Sequence, residues 1–215
     1  MEMTDLMQMK IGSGREYRKM TMEARTDTDE YMVEGYATTF DQPYHLYNID
    51  DERELKEQVS KDAFLNADMS DVIMQYDHEG RVFARISNDT LHLEVDEHGL
   101  KVRAYLGGTE MGRNLYEEIK GGYTDKMSFG FTVKDDEIRE DGKDYLRTIK
   151  SIGKLYDVSA VSLPANDFTE ISARSHCDGA IAKIEEERLR LEEERKIQAE
   201  KREHLAARLN ALRKE

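Results

Sequence analysis

Residues 124–133 read TDKMSFGFTV, an apolar run of the kind that forms a buried β-strand. The serine in this run, Ser128, lies between Met127 and Phe129, and Gly130 follows. A serine hydroxyl on the core face of such a strand needs a hydrogen-bond partner. On the opposite face it becomes a candidate nucleophile, provided that a neighbouring base activates it. The stretch therefore predicts a strand whose serine is either a packing residue or a catalytic one.

Short β-type segments recur on both sides of this strand. They read YMVEGYATTF, DVIMQY, RVFARI, TLHLEV, GLKVRAYL, YLRTIKSI and KLYDVSAVSL. The stretches EVDEHGLKV and KDDEIREDGKDYL predict β-hairpins, because turn residues around Gly99 and Gly142 separate two strand-like runs. Residues 52–67 and 109–120 have the apolar spacing of helices. We predict a mainly β, α+β domain over residues 15–175: an antiparallel, closed or nearly closed β-barrel surrounded by a few helices.

The C-terminal segment 180–215 has a different composition. It contains no Gly or Pro, carries nine acidic and ten basic residues, and is rich in strong helix formers. A seven-residue spacing of mostly apolar residues runs through it, but arginines occupy three of the positions that would complete a coiled-coil seam. We expect a long charged helix, either solvated and held by Glu–Arg pairs or used for self-association or a partner. SHCDG at 175–179 marks the predicted boundary, and residues 1–14 are expected to be a flexible N-terminus.

Composition argues against several classes of protein. The net charge of −14 argues against a nucleic-acid partner bound through a basic face. The one cysteine, Cys177, cannot form an intrachain disulfide or a cysteine-rich zinc site, and no phosphate-binding glycine motif or HExxH is present. We therefore expect no cofactor, no metal and no nucleic-acid partner. No run approaches the ~18 apolar residues of a membrane span, and the N-terminus lacks the apolar core of a signal peptide, so we expect a soluble, intracellular protein without a membrane partner.

Among the six histidines, His78 is the strongest candidate for a base. It ends the apolar strand VIMQY and begins the turn DHEG, and functional groups often lie where a rigid strand meets a loop. The other histidines lie in loop, hairpin, boundary or tail segments, where exposed side chains are usual: His45, His92, His98, His176 and His204.

An acid that could orient His78 comes from the strand-like run LYDVSAVSLPAN, which contains Asp157. A serine–histidine–acid arrangement needs the three side chains to be neighbours in space but not in the chain. Ser128 follows His78 by 50 residues and Asp157 follows Ser128 by 29, so separate strands of one sheet would have to bring them together. Asp157 is alternatively a strand-edge charge. Ser159 and Ser162 are either small packing residues or rival nucleophiles.

Taken in order, these segments resemble the prohead (capsid maturation) proteases of tailed bacteriophages, serine peptidases related in fold to the herpesvirus assemblin protease. The resemblance runs from about residue 33 to 174 and includes VEGYATTFDQPY, VSKDAF, MQYDHEGRVFARI, LEVDEHGLKVRAYL, KMSFGFTV and IKSIGKLYDVSAVSLPANDFTEI. Its most specific part is SFGF followed by an acidic-VS…PAN segment. In this resemblance His78 matches the histidine after a strand, Ser128 the serine before GF, and Asp157 the acid before VS, where the family more often has glutamate.

The resemblance implies an assemblin-like barrel and an acyl transfer carried out by Ser128, His78 and Asp157. It also implies the partner and the place of action. Such proteases cut the scaffold segment of the major capsid protein inside the procapsid, in the host cell cytoplasm, and often cut themselves. The tail 180–215 would then target the protease to scaffold or capsid protein, mediate self-association, or be removed on maturation.

Two other functions are compatible with the composition. One is a non-catalytic scaffold or assembly protein that keeps the barrel and acts through the helical tail. The other is a soluble β-barrel binding module, which leaves the ordered motifs without an explanation. The simultaneous presence of His78, Ser128 and an acid at position 157 favours the peptidase, because a degenerate relative would be free to lose one of them.

Overall fold

The computed structural model describes residues 15–24, 31–161 and 167–212. Strands of these ranges are β1 (Arg15–Ala24), β2 (Met32–Thr39), β3 (Tyr44–Asn48), β4 (Glu54–Val59), β5 (Ile73–Tyr76), β6 (Glu79–Arg85), β7 (Leu91–Val95), β8 (Gly99–Tyr105), β9 (Lys126–Asp141) and β10 (Asp144–Val161). The helices are α1 (Glu110–Lys120) and α2 (Asp167–Leu212). The fold is therefore mixed α+β. The flexible N-terminus predicted for residues 1–14 lies outside the described residues.

The strands form one curled, half-barrel sheet. Its order is β3-β4-β10-β9-β1-β2-β8-β7, and β5 and β6 extend it beside β10. No ladder among the described strands joins β3 to β7, so the closed barrel stays a prediction. The sheet is also mixed rather than wholly antiparallel, because both β4 and β5 pair with β10 in parallel.

The longest strand, β10, is the centre of this arrangement. One edge of β10 pairs with β9 along nearly the whole length of both strands. Its other edge pairs first with β4, at residues 145–149, and then with β5, at residues 157–160. The two predicted hairpins are confirmed as β7–β8 and β9–β10.

One face of β9 belongs to the hydrophobic core. Met127, Phe129 and Phe131 are fully buried there, and the two phenylalanine rings stack with their centroids 4.7 Å apart. Side chains alternate between the two faces of a strand. Ser128 and Gly130 therefore lie on the face opposite the core.

Helix α1 confirms the prediction for residues 109–120. Thr109 is its N-cap, and the Thr109 side-chain oxygen accepts a hydrogen bond from the Gly112 backbone N–H at 3.0 Å. The helix buries Leu115, Tyr116 and Ile119, which lie on one face at helical spacing. It ends at the glycine pair that follows Lys120.

The helix predicted for residues 52–67 is wrong. The segment forms strand β4 and a run of turns after it. Leu55, Glu57 and Val59 are all fully buried and alternate with half-buried residues, which is the period of a strand. The charge at Glu57 concealed this alternation in the sequence, so that Leu55, Val59 and Ala63 looked like one face of a helix.

The chain divides into two compact units, Met1–Ser175 and His176–Glu215. Helix α2 begins at Asp167 rather than at residue 180 and passes through Gly179, so this glycine does not end or begin a helix. In the second unit Arg190 lies 2.6 Å from Glu187 and 3.9 Å from Glu194, one turn away in each direction. The predicted domain boundaries, 15–175 and 180–215, remain predictions.

A network of buried charges ties four strands together. Arg147 of β10 donates to Glu57 of β4 at 2.8 Å, to Glu16 of β1 at 2.7 and 2.9 Å, and to Asp136 of β9 at 2.6 Å. Arg18 of β1 donates to the same Glu57 and Glu16, at 2.8 and 2.7 Å. Arg147 and Glu57 are at most 1% exposed. A buried charge is tolerated only with such partners, because without them its desolvation costs roughly several kcal/mol.

Stability at low pH should depend on Glu57. Burial raises the pKa of this carboxyl, but the charge and hydrogen bonds of Arg18, together with the charge of Arg147, outweigh burial and bring the pKa below its usual 4.5. Because the folded pKa is the lower one, the carboxylate stabilises the fold above about pH 4.5, and this stability is lost as the pH falls through the folded pKa. We expect Glu57→Gln to lower the free energy of unfolding by about 3–5 kcal/mol at pH 7 and to weaken its dependence on pH below 4.5.

Urea unfolding at a series of pH values, followed by circular dichroism, measures this effect. The matched control is Glu137→Gln, which removes an exposed carboxylate that pairs with Lys150 on the same β9–β10 ladder. We expect this control to unfold like the wild type. An equal loss in both variants would show that the buried position of Glu57 is unimportant.

Candidate active site

Three adjacent strands carry the predicted site residues. The order is β5, β10, β9: His78 follows β5, Asp157 lies on β10, and Ser128 lies on β9. Ser128 is directly opposite Ser159 of β10, and Asp157 is directly opposite Gly130 of β9. Neighbouring strands are about 4.8 Å apart, so the two outer strands lie about 10 Å apart with β10 between them.

His78 lies in a tight turn with an uncommon backbone. Tyr76 and Glu79 are the last pair of the β5–β6 hairpin, and the two residues between them, Asp77 and His78, have positive φ angles of 48° and 59°. A two-residue hairpin loop of this type usually contains Asn-Gly, because a Cβ is strained at positive φ. The Asp77 N–H donates to the Ala160 carbonyl at 2.8 Å, which fixes the turn against β10.

The side chain of Asp157 is buried and has two partners. It is 2% exposed. Its Oδ1 contacts Nδ1 of His78 and accepts a hydrogen bond from the Ser159 hydroxyl at 2.7 Å. An acid that contacts Nδ1 of a histidine sets the tautomer of the ring, and in such an arrangement Nε2 is the nitrogen that can act as a base.

A β-bulge turns Asp157 toward this site. From Leu155 to Asp157, two steps along β10 oppose one step along β9, from Phe131 to Gly130. In a regular strand Leu155 and Asp157 would share a face. The bulge instead leaves Leu155 in the core and places Asp157 on the opposite face, with Ser128. Bulges commonly redirect side chains beside active sites.

Ser128 is covered and its hydroxyl is unsatisfied. The residue is 1% exposed, and its Oγ has no hydrogen-bond partner among the described residues. Buried hydroxyl groups nearly always have a partner, so an unpaired one needs an explanation such as a catalytic role. The unpaired Oγ also removes the simplest packing role, in which the hydroxyl would satisfy a neighbouring backbone group.

The structure therefore brings the three residues to one face but links only two of them. His78 and Asp157 are in contact, whereas Ser128 lies on the adjacent strand without a hydrogen bond to His78 among those described. Catalytic hydrogen bonds are often long before a substrate binds and tighten in the complex. The catalytic roles of these residues remain a proposal.

The remaining candidates are five histidines and two serines. The other histidines are all exposed: His45, His92, His98, His176 and His204. Ser162, a rival nucleophile, lies outside the described residues. Ser159 is described, and its contact with Asp157 was not predicted. The signal was present in the sequence, since two strand residues separated by one position point to the same face.

No group of three or more His, Cys, Asp or Glu side chains within the described ranges is placed to hold a metal ion. Neither of the described helices is long and apolar enough to cross a membrane.

The caudovirus prohead serine protease family matches residues 17–183. The chain belongs to this family. The match contains the whole segment on which the resemblance rests, with His78, Ser128 and Asp157 inside it. Comparison with curated proteins and with solved structures found no match. Membership supports a peptidase role in the maturation of caudovirus capsids, and a prohead protease implies a capsid protein as substrate.

The backbone at His78 can be tested separately from its side chain. His78→Gly and His78→Ala both remove the contact with Asp157, but only the alanine keeps a Cβ at φ 59°. We expect His78→Gly to be the more stable variant by about 1 kcal/mol, because left-handed backbone disfavours a Cβ. Urea unfolding of the two variants measures the difference.

Gln75 provides the matched control, because it lies on the adjacent strand β5 and has no positive φ. There the order should reverse, with Gln75→Gly less stable than Gln75→Ala, since glycine weakens a regular strand. If alanine were the more stable replacement at both positions, the strained turn would be refuted.

Proposed function

We propose that the chain is a serine endopeptidase that cuts the scaffold segment of the major capsid protein, and itself, inside the procapsid in the host cell cytoplasm. The observation that carries this proposal is the contact between His78 Nδ1 and Asp157 Oδ1. Asp157 lies on β10, which pairs with the strand of Ser128. Family membership supports the reaction class and the capsid protein as partner. No cofactor enters the proposed reaction.

In the first step His78 acts as a general base. With Nδ1 directed at Asp157, its Nε2 takes the proton of the Ser128 hydroxyl as Oγ bonds to the carbonyl carbon of the scissile peptide. Asp157 stays ionised and stabilises the imidazolium that forms. The tetrahedral intermediate then collapses, the C–N bond breaks, and His78 gives its proton to the leaving amine.

The second half of the reaction uses the same groups on water. His78 removes a proton from a water molecule, whose oxygen attacks the acyl carbon attached to Ser128. When the ester bond breaks, the proton returns to Ser128 Oγ and the new carboxyl end of the peptide leaves. Both halves need Nε2 of His78 to face Ser128, which is the role proposed for Asp157.

Access to Ser128 requires a movement. A peptide cannot reach a residue that is 1% exposed unless the groups around it move. We propose that this happens in the assembling procapsid, where the capsid protein is concentrated around the protease. Peptidase activity is therefore tested with the protease co-expressed with its capsid protein.

The alternative is an assembly protein without peptidase activity that acts through the tail. It explains the helical tail but not the face that carries His78, Asp157 and Ser128. It expects no processing of the capsid protein, or processing that does not depend on Ser128.

Replacement of Ser128 tests the peptidase. We expect Ser128→Ala to reduce cleavage of the co-expressed capsid protein and of the chain itself by more than about 10³-fold, because the hydroxyl that attacks the peptide is lost. Gel electrophoresis and mass spectrometry of the procapsids measure cleavage. A fluorophosphonate, which acylates activated serines, should label the wild type at Ser128.

The matched control is Ser151→Ala. Ser151 lies on β10, the strand that pairs with the strand of Ser128, six positions before Asp157. We expect wild-type processing from this variant. Thermal unfolding should show that both variants fold. Unchanged processing in a folded Ser128→Ala protein would remove Ser128 from the mechanism.

We further propose that the tail targets the protease to scaffold or capsid protein or mediates self-association. The family match ends at residue 183, so most of the tail lies beyond it. The described part of the tail exposes several large apolar side chains amid its charges: Leu189, Leu191, Ile197 and Leu205. Such side chains on a charged helix suit a partner helix.

Truncation tests the tail. We expect a chain that stops after Gly179 to fold but to enter procapsids at less than about one tenth of the wild-type level, because the apolar anchors are lost. Immunoblots of purified procapsids measure incorporation. The control stops after Leu212 and keeps all four apolar residues. Equal incorporation of both truncated chains would refute the targeting role.

A further inference from the structure

Ser159 occupies the centre of the candidate site. It is 0% exposed and lies on β10 directly opposite Ser128. Its hydroxyl donates to Oδ1 of Asp157 at 2.7 Å. The sequence is compatible with Ser159 as a packing residue or a rival nucleophile, and neither role requires the catalytic acid to be the acceptor of its hydrogen bond.

The hydrogen bond reaches a particular oxygen. Oδ1 of Asp157 accepts from Ser159 and is also the atom that contacts Nδ1 of His78. A carboxylate attached to its backbone by two rotatable bonds can present either oxygen, and it can turn away from the histidine. A second donor on the same oxygen restricts that rotation and is stronger than usual because the acceptor is charged.

We propose that Ser159 is a positioning residue of the peptidase: its hydroxyl holds the Asp157 carboxylate so that Oδ1 faces His78. This inference rests on the proposed function. Ser159 acts through Asp157 and does not touch the substrate. Its one hydroxyl proton is donated to the Asp157 carboxylate and is therefore not positioned for transfer to His78, so Ser128 remains the nucleophile.

The strand geometry explains why a serine at position 159 can hold the Asp157 carboxylate. Residues 157 and 159 are two steps apart on one strand, about 6.6 Å between Cα atoms, and their side chains share a face. The bulge before Asp157 sets that face. A short hydroxyl side chain spans the distance to a short acid.

The rate at which a fluorophosphonate labels Ser128 measures the alignment of the site. Procapsids assembled with each full-length variant are treated with increasing probe concentrations, which separates the maximal labelling rate from the probe concentration at half-maximal rate. We expect Ser159→Ala to lower the maximal rate about 10- to 100-fold, because small losses of alignment are costly, and to leave the half-maximal concentration unchanged. Ser159→Cys keeps the size with a weaker donor and should fall in between.

Double-mutant analysis separates positioning from a general effect on the fold. If Ser159 acts only through the Asp157 carboxylate, Ser159→Ala should cause no further loss in the Asp157→Asn background. A packing role would give the same fold-loss in both backgrounds. Thr38→Val, which deletes a buried hydroxyl of β2 at constant volume, should label like the wild type.

The outcomes distinguish this inference from the proposed function. Loss of labelling in Ser128→Ala, with a slow Ser159→Ala and no further loss in the double variant, supports both. Loss in Ser128→Ala with wild-type rates in Ser159→Ala, or with additive losses, overturns the role of Ser159 alone. An adduct mapped to Ser159 by mass spectrometry, or labelling that survives Ser128→Ala, overturns both.

Discussion

The irregular ladder between β9 and β10 is the constraint on which the site depends. Its register shifts at four places along the two strands. As a result, between residues 149 and 158 the β10 side chains of the hydrophobic core recur every three residues, at Ile149, Ile152, Leu155 and Val158, rather than every two. The last shift, just before Asp157, exchanges the faces of the strand. Without this shift the Asp157 side chain would point into the hydrophobic core, where burial of an unpaired carboxylate costs roughly several kcal/mol.

The two halves of β10 have different electrostatic roles. The first half buries Arg147 among carboxylates from β1, β4 and β9. The second half places Asp157 between His78 and Ser159. Removal of Arg147 or of His78 leaves a buried carboxylate with one partner fewer, which is costly in a medium where water cannot compensate. The strand that supports the site is thus fixed by polar contacts that a purely apolar sheet would lack, and these contacts tolerate little displacement.

Much of the fold could be predicted where the signal is local. Helix α1 has its own N-cap and apolar face, and the β7–β8 and β9–β10 hairpins have their own turn residues. The prediction failed for β4, because a buried Glu57 breaks the apolar alternation. That residue is compatible with the core only because Arg18 and Arg147, 39 residues before it and 90 after it, supply the opposite charges. No window around residue 57 contains that information.

For the candidate site, the sequence by itself determined the types and order of the residues: a histidine in a tight turn, a serine between apolar neighbours and an acid before VS. Only the tertiary structure decided that β5, β10 and β9 are adjacent, that His78 and Ser159 share one oxygen of Asp157, and that Ser128 is covered. The physical reason is that strand pairing joins residues far apart in the chain, and that a single bulge, invisible in a local pattern, selects the face on which a side chain lies.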